Sequence, residues 1–309
     1  MNAALKTLRD AIASVYMGNG RAVDRLLACL LARGHVLVED VPGVGKTVLA
    51  NSLARSIDAS FARIQCTPDL LPTDVTGAAI LDRPSGEFEF RPGPVFANIV
   101  LADEINRTTP RTQSALLEAM SEGQVSAEGR THALPDPFMV VATQNPYEFE
   151  GTYLLPENQL DRFLMRIGLG YPSPDDEARI LDVQPARNTL RSLEPVLSVD
   201  DVRALQQTTD EVRMDRSLAD YVIALAQATR ESDDLLVGMS PRGSLALAQA
   251  ARASAVLAGR DHCVPEDIVE NVLPVCAHRV VTRNTMHDGD TVTSRRIMQR
   301  ILETVASPV

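Results

Sequence analysis

The sequence predicts an α/β core, a parallel sheet with helices on both faces, followed by a smaller all-helical domain. Three observations carry this. Up to about Arg166, five short apolar runs alternate with helical patterns. A glycine-rich turn holding a lysine, Asp40-Val41-Pro42-Gly43-Val44-Gly45-Lys46-Thr47, joins the first run to a helix. Beyond Gly170-Tyr171-Pro172-Ser173-Pro174, a hinge-like stretch, strand patterns give way to amphipathic helices. The expected units are 1–170 and 176–309.

Taken in order, the expected strands are His35–Val38, Phe61–Ile64, Ile99–Ala102, Met139–Ala142 and Leu164–Ile167. Their continuous apolar character suits a sheet covered on both faces. Thr109, Pro110 and Gly123 cap, start and stop a helix between the third and fourth strands. Two stretches rich in turn residues, about 77–94 and 123–137, are too long for connectors and are expected to protrude. In the second half, Leu218, Tyr221, Val222 and Leu225 mark one helical face. Ser240-Pro241 opens another helix, carrying Leu245, Ala248 and Val256 and stopped by Gly259. Val264-Pro265-Glu266-Asp267 opens a third, and residues 294–305 form a last one.

Composition narrows the function. With 309 residues, 45% apolar and 23% charged, the chain is an ordinary globular protein long enough for two domains. No apolar stretch reaches membrane-spanning length, and Met1-Asn2-Ala3-Ala4-Leu5-Lys6 lacks a signal-peptide core. Cys29, Cys66, Cys263 and Cys276 are widely spaced, which argues against a disulfide framework or zinc ribbon and fits a reducing cytoplasm. A formal charge of −11 argues against nucleic acid as a partner.

The chain has only two lysines, Lys6 and Lys46, so the lysine in the glycine loop reads as a chemical requirement. An ammonium on a flexible stem follows terminal phosphates better than a flat guanidinium fork. Strand, glycine loop and helix start bring backbone N–H groups onto an anion, so residues 40–48, Asp40 through Val48, form a nucleotide site. Asp40 stands where most such loops have glycine. The run Asn98-Ile99-Val100-Leu101-Ala102-Asp103-Glu104 ends a strand in two acids, at the sheet edge where α/β proteins bind ligands. Asp103 then supports Mg2+ beside the Thr47 hydroxyl, and Glu104 polarises the attacking water. Asn145, at the end of another buried strand, is placed to orient the water and the γ-phosphate; in isolation it is equally a turn residue. Arg162, in Leu160-Asp161-Arg162-Phe163, suits insertion into a neighbour's site, although sequence alone favours an ion pair with Asp161 or Glu157, and Arg166 competes for the role. Arg242, in the first turn of its helix, opposes the helix dipole, which an anionic partner would offset.

The ordered set Val-Pro-Gly-Val-Gly-Lys-Thr, Leu-Ala-Asp-Glu-Ile-Asn-Arg, Ala-Thr-Gln-Asn-Pro, Gln-Leu-Asp-Arg-Phe and Ser-Pro-Arg-Gly resembles the MoxR family of AAA+ ATPases, from about Arg21 to Val280. The resemblance implies Lys46 and Thr47 in Walker A, Asp103 and Glu104 in Walker B, Asn145 as sensor 1, Arg162 as arginine finger and Arg242 as sensor 2. It implies ATP and Mg2+ as cofactors and a ring, commonly hexameric, with ATP between subunits. Residues 77–94 and 123–137 then resemble the helix-2 insert and the pre-sensor-1 hairpin, and the helical domain a lid. It also implies a client protein and a von Willebrand factor A domain partner, with chaperone-like remodelling as the task. Leu154 replaces a frequent proline. A metal-chelatase motor subunit shares this core. So does a DNA-dependent motor of the MCM type, against which the pI near 5.0 and 4% aromatics argue.

Overall fold

The computed structural model describes residues 3–81, 83, 86–127, 129–145, 151–185, 189–283 and 291–308. The chain begins with α1 (Ala3–Val15), α2 (Gly20–Leu31), β1 (Val36–Glu39) and α3 (Lys46–Ser56). It continues through β2 (Phe61–Gln65), α4 (Pro72–Thr76), β3 (Gly77–Leu81), β4 (Phe88–Pro92) and β5 (Ile99–Asp103). Next come α5 (Pro110–Glu122), β6 (Gln124–Ala127), β7 (Arg130–Ala133), β8 (Met139–Gln144), α6 (Glu157–Leu160) and β9 (Met165–Ile167). The remainder is mainly helical: α7 (Pro174–Val183), α8 (Val199–Glu211), α9 (Arg216–Glu231), β10 (Leu235–Val237), α10 (Pro241–Ala258), α11 (Pro265–Cys276), β11 (Val281–Thr282) and α12 (Thr291–Thr304).

The five expected strands form one parallel sheet in the order β2-β5-β8-β1-β9. Alternation along each strand sends side chains to opposite faces. Val36, Val38, Ile99, Leu101, Met139 and Val141 join the core shared with α1, α2, α3 and helices that follow β9. Leu37, Val100, Ala102, Val140 and Ala142 join the core under α5. Each fully buried Val or Leu contributes about 1.5–3 kcal/mol, so a charge at any of these positions would oppose the fold.

Helix ends follow their expected chemistry. The Thr109 hydroxyl accepts from the Thr112 N–H, Pro110 occupies the first turn of α5, and Gly123 ends it at φ 62°. Ser240 caps α10 and Gly259 ends it at φ 82°. The face of α9 with Leu218, Tyr221, Val222 and Leu225 is buried. Leu245 is not: it is 72% exposed, because the buried stripe of α10 runs through Gly243, Leu247, Ala250 and Ala251.

The two protruding stretches form antiparallel hairpins, β3–β4 and β6–β7. They lean on each other, since Phe90 stacks on His132 with ring centroids 4.0 Å apart. Positions 82, 84, 85 and 128 within them, and Pro146 after β8, lie outside the described residues. All four cysteines are buried and unpaired. Burial pushes their thiols up, to about 12 for Cys66 and Cys276 and about 11 for Cys263.

Candidate active site

The glycine loop runs from the end of β1 into α3. Gly43 and Gly45 both take positive φ, 88° and 93°, a conformation that costs an L side chain about 1–2 kcal/mol. Gly45 is the N-cap of α3 and no side chain caps that helix, so its first-turn N–H groups face outward as an anion site. A Cβ on Gly45 would lie 3.2 Å from the Tyr16 ring, so the loop is backed by an aromatic from α1's far end. Lys46 Nζ donates to the Asp40 carbonyl. Burial lowers the Lys46 pKa, while Asp40, Asp103, Glu104 and Glu39 act on it in the opposite sense. The lysine therefore sits in a field of four carboxylates.

Asp40 explains why glycine is not needed there. Its Oδ1 accepts from the Val41 N–H at 2.9 Å, and its Oδ2 accepts from the Leu169 and Gly170 N–H groups at 2.7 and 2.6 Å. The carboxylate is thus committed to the start of the hinge. The Asp40 main chain is bonded as well, the N–H to Gln144 O at 3.3 Å and the carbonyl to Lys46 Nζ.

Sheet order assembles the rest. Because β8 lies between β5 and β1, Asn145 at its end falls between Asp103-Glu104 and the glycine loop. Asn145 is buried. Thr143 on β8 bridges the acids: its hydroxyl donates to Asp103 Oδ1 at 2.6 Å and accepts from the Glu104 N–H at 2.9 Å. Glu104 has left-handed backbone, φ 58° and ψ 52°, a strain that collects at functional positions. Gln65 and Arg107 reach its Oε2 at 3.2 and 3.4 Å. Arg63 pairs with Asp103 Oδ2 at 2.6 Å. Thr143, Gln65, Arg63 and Tyr16 were not visible as site residues in the sequence, because only strand order brings them to the acids and the loop.

The donor set fits a hard cation with a triphosphate. Thr47 offers a hydroxyl and Asp103 a carboxylate, and the uncapped start of α3 offers N–H groups. Among the described residues no cluster of three His, Cys, Asp or Glu could hold a metal unaided, which is how Mg2+ differs from zinc: it takes one or two carboxylates plus phosphate oxygens.

The arginines lie elsewhere. Arg162 follows α6 and precedes β9, so it sits at the N-terminal edge of the sheet. Its Nη1 donates to Leu117 O at 3.1 Å and to Ser121 Oγ, both on α5. It forms no ion pair with Asp161 or Glu157 among the described residues; Asp161 instead pairs with Arg279 at 2.8 Å and faces Arg242 at 3.8 Å. Arg166 is half-buried and paired with Glu39. Arg242 is well exposed, on the same edge as Arg162.

Residues 35–165 match the profile of the ATPase family associated with various cellular activities (AAA), and residues 227–301 match the AAA lid domain. Fold and site together define an AAA ATPase. Over an alignment of 322 residues the chain is 42% identical to the Mycobacterium tuberculosis protein named Chaperone MoxR1, with 99% of this chain and 84% of the relative covered. It is 50% identical over 284 residues to YeaC of Bacillus subtilis, a protein described only as uncharacterized, with 92% and 88% covered. The crystal structure of a candidate ATPase from Cytophaga hutchinsonii superposes with a TM-score of 0.90 at 38% identity, with 99% and 95% covered. The chain belongs to the MoxR family of AAA+ ATPases.

Proposed function

We propose that this ATPase hydrolyses ATP with Mg2+ at the interfaces of a homo-oligomeric ring, most simply a hexamer, and spends the energy on chaperone-like remodelling of a client protein. One observation carries the reading. Lys46 lies at the C-terminal edge of the sheet, whereas Arg162 lies at the N-terminal edge, where Leu164 N–H meets His35 O at the start of β1. A strand of four residues separates the two edges by about 13 Å, at about 3.3 Å per residue. A side chain cannot span that, so a finger at Arg162 serves the site of another copy. Arg242 beside Asp161 belongs to the same edge, which supports action in trans for it as well.

Within one site, Lys46 and the N–H groups of α3 hold the β- and γ-phosphates. Thr47 and Asp103 would hold Mg2+, which neutralises charge between the phosphates. Thr143 fixes the Asp103 carboxylate and the Glu104 main chain, so Glu104 is aimed before substrate arrives. Glu104 takes a proton from the attacking water, Asn145 orients that water, and Arg162 from the next subunit offsets the charge that develops. The chaperone role rests on the name of the M. tuberculosis relative. A von Willebrand factor A domain partner and a cytoplasmic location complete the reading; the second rests on the buried, unpaired cysteines.

Mixing Arg162→Ala subunits with Lys46→Ala subunits tests it. Neither hydrolyses ATP alone, and the mixture is expected to regain activity where an intact loop meets an intact finger. A mixture as inactive as its parts overturns the shared site. Mass measurement by light scattering, with and without ATP, tests the ring; a monomer at all concentrations overturns it.

A further inference from the structure

The residue before the finger is held by the lid. Arg279, in the turn after α11, is 9% exposed, yet every nitrogen of its guanidinium is used. Nε donates to Asp161 Oδ1 at 2.8 Å. Nη2 donates to Asp161 O at 3.2 Å and to Phe163 O at 2.7 Å. Nη1 donates to Leu164 O at 3.1 Å and to Val275 O in α11, and contacts His278 Nε2 at 2.8 Å. A single lid side chain therefore grips carbonyls on three of the four residues from 161 to 164. Phe163, fully buried, anchors the same segment from the core side. The opposite oxygen of Asp161, Oδ2, faces Arg242 from α10.

Burying an arginine is a poor route to stability, because well-packed apolar residues commonly do as well or better. What a guanidinium fork supplies that leucine cannot is fixed geometry on several acceptors at once. Here that geometry is imposed on the segment carrying Arg162, which itself is free at its tip apart from Leu117 O and Ser121 Oγ.

We infer that Arg279 is a positioning residue: it sets the segment 161–164 so that Arg162 meets the neighbour's nucleotide, and through it the lid of each subunit governs hydrolysis in the adjacent subunit rather than its own. The inference rests on the reading of Arg162 as a finger acting in trans. A simple core-to-lid staple would affect the subunit that carries it, whichever role that subunit plays. A positioning residue acts only where a finger is being offered.

The mixed assembly separates these. Lys46→Ala subunits offer fingers and bind no ATP; Arg162→Ala subunits bind ATP and offer none. Placing Arg279→Lys in the finger-offering subunit is expected to lower the restored kcat at least tenfold, with KM for ATP within twofold. Placing it in the ATP-binding subunit is expected to leave the restored kcat within twofold. Equal losses in both placements, or no loss in the first, overturn the inference. Failure of the unmodified mixture to regain activity overturns the finger reading instead, and this inference with it. Assembly of each mixture is checked by light scattering and melting temperature. Should Arg279→Lys not fold, Asp161→Asn, which keeps the shape and removes the charge, makes the same asymmetric prediction.

Discussion

At the C-terminal edge of the sheet, main-chain donors are left open: α3 has no side-chain cap, while Glu104 holds a left-handed backbone and Lys46 sits half-buried among four carboxylates. At the N-terminal edge the polar groups are spent. His35 links β8 to α5, accepting the Val140 N–H on Nδ1 at 3.0 Å and placing Nε2 3.0 Å from Met120 O, while Arg279 saturates the carbonyls around Phe163. The difference teaches what each edge is for. The edge that receives ATP must have unmet bonding capacity, whereas the edge that offers a finger needs its support fixed in advance.

The largest break in this contrast is Arg162→Ala. Hydrolysis is expected to fall about 10³-fold, the scale of a lost finger, with ATP affinity unchanged, read by phosphate release and by fluorescent-nucleotide titration. Lys46→Ala removes affinity as well, because it disarms the receiving edge. Glu104→Gln comes next: ATP still binds and turnover drops about 10²-fold or more, the scale of a lost general base. Turnover at the wild-type rate would remove Glu104 from its role.

Stability sharpens the contrast on a smaller scale. Burial lowers the His35 pKa from 6.5 to about 4, and protonating Nδ1 would set a proton against the Val140 N–H. The unfolded chain takes up that proton below about 6.5, so stability is complete above this pH and is lost as pH falls toward about 4. The full effect, 6.5 minus 4 at about 1.36 kcal/mol per pH unit, is about 3 kcal/mol, measured by urea unfolding across that window. Asp40→Ala leaves the Leu169 and Gly170 N–H groups without their acceptor and is expected to cost about 2 kcal/mol, read by the melting temperature. Thr109→Ala, a lost cap on α5, is expected to cost about 1 kcal/mol by the same measure.

Much of this was legible in the residues. Val36–Val38 and Ile99–Ala102 announced buried strands because covered parallel strands admit little else, and Thr109-Pro110 or Ser240-Pro241 announced helix starts through cap chemistry that is local. Lys46, Asp103 and Glu104 also stood out locally, the lysine at the start of α3 after a glycine turn and the two acids at the end of β5. What was hidden depends on order in space. Thr143 reaches Asp103 only because β8 lies beside β5, and Arg279 reaches Asp161 across 118 positions of chain. The pairing of Arg166 with Glu39 was likewise out of reach, because it depends on β9 lying beside β1. Leu245 misled because the buried stripe of α10 passes through Leu247 and the small residues on its side of the helix, leaving Leu245 outside.

The sealed cysteines have a practical consequence. With each thiol buried and its pKa raised, the native chain offers maleimides almost nothing to react with at neutral pH. Exposed positions such as Glu89 on the β3–β4 hairpin and Glu231 at the end of α9 can therefore be changed to cysteine and dye-labelled with every native thiol left in place. Energy transfer between two such dyes would follow the hairpin against the lid, turnover by turnover, in the intact assembly.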